Sequence, residues 1–141
     1  MTYGINWWGG TSWHGNCPLS ECSTACIDSV LYQFGGHPNG CDHAPALAWV
    51  SPWDGVVRVT GNAHKLDPNG GDGVDVDILK NDRLLWSRTI AFDDAVGHDF
   101  DLTVPAKTGD HLYFRIHQRL TTDYDSTYFN PTITLERVRR H

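Results

Sequence analysis

The stretch VDVDILKNDRLLW, residues 74–86, decides the fold. Apolar and polar residues alternate through its first half, which is typical of a strand with one buried face. Asn81 and Asp82 can both adopt the positive φ angles of a two-residue type I′ turn, so the stretch predicts a β-hairpin. Provided that no bulge intervenes, the register of this hairpin places Asp75 opposite Arg88, where the two side chains form a cross-strand ion pair.

Similar alternating runs recur beyond about residue 44, separated by Gly, Pro, Asn and Asp, and no long helix is predicted. We therefore expect an all-β fold, an antiparallel β-sandwich of the jelly-roll kind, in a single domain over residues 1–141. A cysteine-containing loop segment, residues 13–43, belongs to the same domain. The predicted strands are 46–50, 55–62, 73–80, 83–91, 98–104, 111–118 and 127–136, with two more in YGINWW (3–8) and SVLYQF (29–34).

The inward positions of these strands predict one hydrophobic core. They are the apolar members of each alternating run, since successive side chains of a strand point to opposite faces. The predicted core residues are Val57, Val59, Val74, Val76, Ile78, Leu85, Phe100, Leu102, Phe114, Ile116, Ile133 and Leu135.

Composition excludes several classes of partner. The 141 residues carry a net charge of −6, which repels nucleic acid, and the only basic cluster is the short tail Arg137, Arg139 and Arg140. No apolar run approaches the ~20 residues of a membrane-spanning helix, so membrane insertion is not expected. The start MTYGINWWGG lacks the features of a signal peptide, which leaves a mature chain, a fragment with an added Met or a cytosolic protein.

The four cysteines argue for an oxidising compartment. Cys17, Cys22, Cys26 and Cys41 all lie within one loop-rich segment, which predicts two disulfides of undetermined pairing in a secreted or cell-surface protein. The alternative is a zinc site in which His14 and Cys17 combine with Cys41 and His43, although these spacings match no familiar zinc motif.

Two acidic loops precede strands. Asp67, Asn69 and Asp72 lie in DPNGGDG, and Asp123 and Asp125 lie in DYDSTYFNPT. Carboxylate, amide and main-chain oxygens are the ligands that Ca²⁺ prefers, so these residues predict a structural calcium site if the two loops meet at one edge of the sandwich. The alternative is that the same side chains accept hydrogen bonds from main-chain N–H groups and stabilise turns.

Aromatic residues supply the candidate ligand site. Trp7, Trp8 and Trp13 lie in a Gly-rich stretch, where exposed indoles could stack on sugar rings; the alternative is that they are structural. No catalytic motif is present. Asp93 and Asp94 are explained by a polar loop more simply than by acid/base chemistry, so we expect no enzymatic activity.

Four segments carry a resemblance: ALAWVSPWDGVVRVTG (46–61), GGDGVDVDILKNDRLLWSRTI (70–90), GDHLYFRI (109–116) and DYDSTYFNPTITL (123–135). In their order they resemble extracellular bacterial β-sandwich modules, similar to carbohydrate-binding jelly rolls, that are appended to polysaccharide-degrading enzymes, toxins and surface proteins. The resemblance, over about residues 44–136, implies a non-catalytic accessory module that binds a polysaccharide or glycan. The alternative is a structural or adhesive module that contacts neighbouring domains of a larger protein.

Overall fold

The computed structural model describes residues 6–8, 13–15, 29–32, 34–38, 44–121 and 123–138, the first three segments as backbone. All of the regular secondary structure in these ranges is β-strand. No helix among the described residues is long and apolar enough to cross a membrane. The strands are β1 (Asn6–Trp8), β2 (Trp13–Gly15), β3 (Ser29–Tyr32), β4 (Gly35–His37), β5 (Ala46–Val50), β6 (Gly55–Lys65), β7 (Val74–Lys80), β8 (Arg83–Ile90), β9 (His98–Ala106), β10 (His111–Gln118), β11 (Thr127–Phe129) and β12 (Thr132–Val138).

The strands form two antiparallel sheets, as predicted. The larger sheet runs β1-β2-β3-β4-β11-β6-β12, with β9 also paired to β6, and the smaller runs β5-β10-β7-β8. In the larger sheet, β12 and β11 follow each other along one edge of β6, and β9 lies along the other edge. The predicted strand 127–136 is divided between β11 and β12 at Asn130-Pro131, because proline has no N–H to donate to a ladder.

The β7–β8 hairpin forms where the sequence predicts it, but with a bulge. Of the two turn residues only Asn81 has a positive φ angle, 50°, so the turn is not type I′. The register shifts between Ile78 and Leu79, and Asp75 consequently lies opposite Thr89 rather than Arg88. The predicted Asp75–Arg88 pair is therefore wrong: Asp75 accepts a hydrogen bond from Thr89 Oγ1 at 2.6 Å.

The bulge also changes which residue of β8 enters the core. It places Trp86 opposite Ile78, and the indole is 8% exposed and lies 5.1 Å from the Phe100 ring, centroid to centroid. Leu85, predicted for the core, is only partly buried against it.

Most of the predicted core is confirmed, and both sheets contribute to it. Leu102 and Ile133 are partly buried, like Leu85. Leu135 was expected in the core but is 39% exposed, because among the described strands β12 pairs with β6 alone and its register shifts next to this residue. The buried core residues include Val57, Val59, Ala63, Val74, Val76, Ile78, Trp86, Ile90, Phe100, Val104, Leu112, Phe114, Ile116 and Phe129.

Three loops gather at one end of the two sheets, namely 66–73, 91–97 and the described residues 119–121 and 123–126. Main-chain hydrogen bonds join them: Lys65 N–H donates to Asp94 O and Leu66 N–H donates to Ser126 O, each at 2.9 Å. The two acidic loops thus meet, as the calcium prediction required.

Candidate functional site

Three aromatic side chains form a strip on the outer face of the larger sheet. The strip consists of Phe34, Tyr128 and His64, which lie just before β4, on β11 and on β6. The centroids of the His64 and Tyr128 rings are 4.4 Å apart with planes 13° from parallel, and Phe34 stacks 6.3 Å from Tyr128 at 25°. Because Phe34 is 48% exposed, the strip presents an aromatic surface to solvent.

Polar groups border this aromatic strip. His64 Nδ1 lies 2.8 Å from Asn62 Oδ1, and the Asn62 amide donates to Asp99 Oδ1 at 2.8 Å and to the Val96 carbonyl at 3.1 Å. Both Asn62 and Asp99 lie on the same face of the sheet as His64, because they alternate with the buried residues of β6 and β9. Stacking surface therefore adjoins amide and carboxylate groups.

The strand register relates the three predicted tryptophan positions to this strip. Paired residues of an antiparallel ladder share a face, and Tyr32 pairs with Gly35, which pairs with Tyr128. Val30 lies two residues before Tyr32 on β3 and so shares its face. Val30 pairs with His14, which pairs with Trp7, so the Trp7 position belongs to the face of the strip.

Trp8 and Trp13 pair with each other, and Trp13 pairs with Leu31. Both positions therefore belong to the opposite face of the sheet from Trp7. The three tryptophan positions predicted as one ligand site are thus divided between two faces, since neighbouring positions of a strand alternate.

The acidic loops surround a buried lysine, which the sequence prediction missed. Lys65 is the last residue of β6 and its side chain, like that of Asp125, has no solvent exposure; Nζ lies 3.7 Å from Asp125 Oδ1. The ammonium group also donates to the Tyr124 carbonyl. The signal was present: alternation through Val59, Gly61 and Ala63 continues to residue 65, whereas the strand was predicted to end at 62.

Local backbone geometry holds the two loops together. Gly71 has a φ of +81°, and a Cβ there would lie 2.2 Å from the Asp123 carbonyl oxygen, so only glycine permits this approach. Tyr124 has a positive φ of 60°, which is uncommon for a bulky residue. Asp72 Oδ2 accepts a hydrogen bond from Leu120 N–H at 2.6 Å and links the loops further.

Several oxygens in this cluster accept no hydrogen bond. In the described part of the chain, the buried side-chain atoms without a hydrogen-bond partner are Asp72 Oδ1, Asp125 Oδ1, Asp125 Oδ2 and Gln118 Oε1. Three of the four belong to the acidic loops, so the shortage of donors is local to the surroundings of Lys65.

Burial perturbs both members of the Lys65–Asp125 pair. Loss of solvent raises the pKa of Asp125 to about 7, and the nearby negative charges of Asp72 and Asp123 act in the same direction against the opposing effect of Lys65. Burial also lowers the pKa of Lys65, although Asp125, Asp67 and Asp72 oppose that shift. Desolvation thus favours the neutral form of each group.

The predicted calcium ligands are only partly brought together. Asp72 and Asp123 lie close enough to Asp125 for their charges to act on it, whereas Asp67 accepts hydrogen bonds from the Asn69 amide and main-chain N–H at 2.7 and 3.3 Å, which is the turn arrangement. Among the described residues no group of three His, Cys, Asp or Glu side chains is arranged to hold a metal ion. Calcium at these loops therefore remains a prediction.

A second polar network lies on the outer face of the smaller sheet. Arg115 and His117 on β10 both contact Asp77 on β7. Farther along, the Arg119 guanidinium donates to Asp75 Oδ1 at 3.2 Å. The carboxylates of Asp77 and Asp75 are thus paired with basic side chains of the same sheet face.

The four cysteines and His43 lie outside the described residues, and His14 is described as backbone only. Disulfides and the alternative zinc site therefore remain predictions. No protein-family model matches the chain. No curated protein matches it in sequence either.

Proposed function

We propose that this chain is a non-catalytic, carbohydrate-binding accessory module of a secreted or cell-surface protein. The observation that carries the proposal is the aromatic strip of Phe34, Tyr128 and His64 beside Asn62 and Asp99. Aromatic faces bind the apolar faces of sugar rings, while amide and carboxylate groups exchange hydrogen bonds with hydroxyl groups.

Of the predicted tryptophans, Trp7 belongs to this proposed site. Its position shares the face of the strip through the pairing of β1, β2, β3 and β4, whereas Trp8 and Trp13 pair on the other face. The proposal therefore assigns glycan stacking to Trp7. It does not assign glycan stacking to Trp8 or Trp13, whose positions belong to the other face of the sheet.

The jelly-roll description is also part of the proposal. Successive strands from β5 to β12 alternate between the two sheets, apart from the β7–β8 hairpin in the middle and the β11–β12 pair at the end. The smaller sheet order β5-β10-β7-β8 and the larger sheet order β12-β6-β9 support a jelly roll, a double-sheet fold built from Greek keys.

A glycan array, followed by retention on the polysaccharide that binds best, tests the proposed function. Binding should be retained in EDTA, because the aromatic strip lies on the sheet face and not in the acidic loops. Failure to retain any polysaccharide, by a chain that is folded, would contradict the proposal.

A second candidate, a structural or adhesive module, is favoured by the exposed apolar residues on the three gathered loops. Leu120 is 97% exposed and Val96 84% exposed, and Leu66 and Phe92 also face solvent. Apolar side chains grouped at one end of a sandwich are typical of contacts with a neighbouring domain. Cross-linking within the parent protein distinguishes this candidate, since its contacts would map to these loops and not to the aromatic strip.

A further inference from the structure

Lys65 and Asp125 combine a primary amine and a carboxyl group in a site closed to water. Neither side chain has any solvent exposure, and the amine nitrogen lies 3.7 Å from a carboxyl oxygen. This contact places the amine beside the carboxyl group whose carbon, Cγ, it would attack, and such positioning of reacting groups lowers the barrier to their reaction.

An ion pair would satisfy this site poorly. Burying two charges is costly unless excellent geometry and additional hydrogen bonds compensate, and no donor in the described part of the chain hydrogen-bonds either oxygen of Asp125. The Lys65 nitrogen, by contrast, is held in place by donation to the Tyr124 carbonyl. The low polarity of the site favours a neutral amine, which is a nucleophile, beside a protonated carboxyl group, which is an electrophile.

We propose that Lys65 and Asp125 condense to an intramolecular isopeptide bond. The lone pair of Nζ attacks Cγ of Asp125, an amide bond forms between Nζ and Cγ, and the bond from Cγ to its hydroxyl oxygen breaks. The hydroxyl leaves with one proton of the amine as a molecule of water. No oxidant, reductant or cofactor is consumed.

Asp72 is placed to carry the proton. Its charge acts on both Lys65 and Asp125, its Oδ1 is buried and has no hydrogen-bond partner among the described residues, and its Oδ2 accepts a hydrogen bond from Leu120 N–H. A carboxylate in this position takes the proton from the attacking amine and delivers it to the departing hydroxyl, which is general acid–base catalysis within the fold. Exclusion of water from the site disfavours the reverse reaction, hydrolysis.

The intact mass of the folded full-length chain tests the proposal. After reduction of any disulfides, the mass should be lower than the sequence mass by one water. Trypsin should leave Lys65 uncut, and the branched product should join residues 59–80 to residues 120–137. Tandem fragmentation then locates the link at Lys65 and Asp125.

Two variants provide the controls. Lys65→Met removes the amine and should restore the full sequence mass, and Asp72→Asn, which keeps the shape of the side chain, should leave most of the chain unlinked.

Two results would overturn the proposal. The first is a folded wild-type chain of full sequence mass. The second is loss of water confined to one linear peptide and reversed by hydroxylamine, since that is the behaviour of a succinimide and not of an isopeptide bond. Both are read from the wild-type chain, so they stand even where a variant fails to fold.

Discussion

Arg115 on β10 lies directly opposite Asp77 on β7, and its guanidinium donates two hydrogen bonds to the carboxylate. Nε donates to Oδ1 at 2.8 Å and Nη2 donates to Oδ2 at 2.7 Å, while His117 Nε2 lies 3.0 Å from Oδ2. Burial alone would raise the pKa of Asp77, but the hydrogen bonds and charges of His117 and Arg115 outweigh it and hold this pKa below its ordinary value. The contribution of this network to the stability of the smaller sheet therefore depends on pH.

The first prediction concerns acid stability. A carboxyl group whose pKa is lower in the folded chain contributes stability above its unfolded pKa, near 4, and that contribution is lost as the pH falls through the folded value. Asp77→Asn should therefore reduce the slope of stability against pH below about 4. At neutral pH it should cost about 1.5 to 3 kcal/mol, as expected for loss of hydrogen bonds to a charged group. Urea unfolding across a pH series measures both effects.

A matched control is available on the other sheet. Asp101 accepts the same two-point contact from Arg58, but the two side chains are 55% and 50% exposed. Solvent screens such a pair, so Asp101→Asn should have a much smaller effect at neutral pH. Equal losses in the two variants would show that burial of Asp77 is not the cause.

The second prediction tests which face of the strands is buried. Phe114 is 2% exposed and its ring meets Phe129 edge-on at 5.8 Å, so Phe114→Ala should cost about 3 to 5 kcal/mol. Leu135→Ala should cost less than about 1 kcal/mol, because that side chain is already partly in solvent. Chemical denaturation compares the two. A Leu135 variant as damaged as the Phe114 variant would mean that β12 is covered on that face.

The third prediction concerns the glycan site. Phe34→Ala and Trp7→Ala should each abolish polysaccharide retention with little change in melting temperature, because the strip supplies stacking surface. Trp53→Ala is the matched control: Trp53 is 42% exposed but lies between β5 and β6, at the opposite end of the sheets from the acidic loops. Loss of retention in the Trp53 variant would place the binding surface elsewhere.

The fourth prediction concerns the consequence of the proposed isopeptide bond for stability. Lys65 and Asp125 are separated by 60 positions, so a link between them closes a long loop of the unfolded chain. By the relation used for disulfides, such a closure contributes about 4 kcal/mol. Unlinked Asp72→Asn protein should therefore unfold at distinctly lower denaturant concentration than linked wild-type protein. Similar midpoints would indicate that the link adds no stability.

The fifth prediction concerns calcium at the acidic loops. Lys65 lies beside Asp125 and is affected by the charge of Asp72, two of the carboxylates that a divalent cation would need, so calcium should bind more tightly to Lys65→Met than to the wild type. A ligand at about 100 times its dissociation constant stabilises by about 2.7 kcal/mol, which is readily seen in a melting temperature. Melting in calcium and in EDTA measures the difference. Strong calcium dependence in the wild type alone would contradict this competition.

Much of the fold was predictable because period-two alternation is a local property. Strands β5 and β10 begin and end at the predicted residues, and most of the inward positions are buried. The bulge in β8 was not predictable in this way. It brings Trp86 to within 5.1 Å of Phe100 and 6.3 Å of Phe129, and both of those rings belong to the other sheet. The register of a hairpin can therefore depend on packing that its own sequence does not contain.

For the candidate sites, too, some features follow from the sequence alone and others only from the tertiary structure. The sequence determined by itself that the chain is all-β, that acidic loops precede strands, and that aromatic residues are abundant, since each follows from composition or from near neighbours. Only the tertiary structure decided that Lys65 meets Asp125, that Phe34, Tyr128 and His64 stack, and that Trp7 shares a face with them and Trp8 does not. Such contacts join distant segments through strand pairing, and pairing is selected by burial of the whole core rather than by any single stretch.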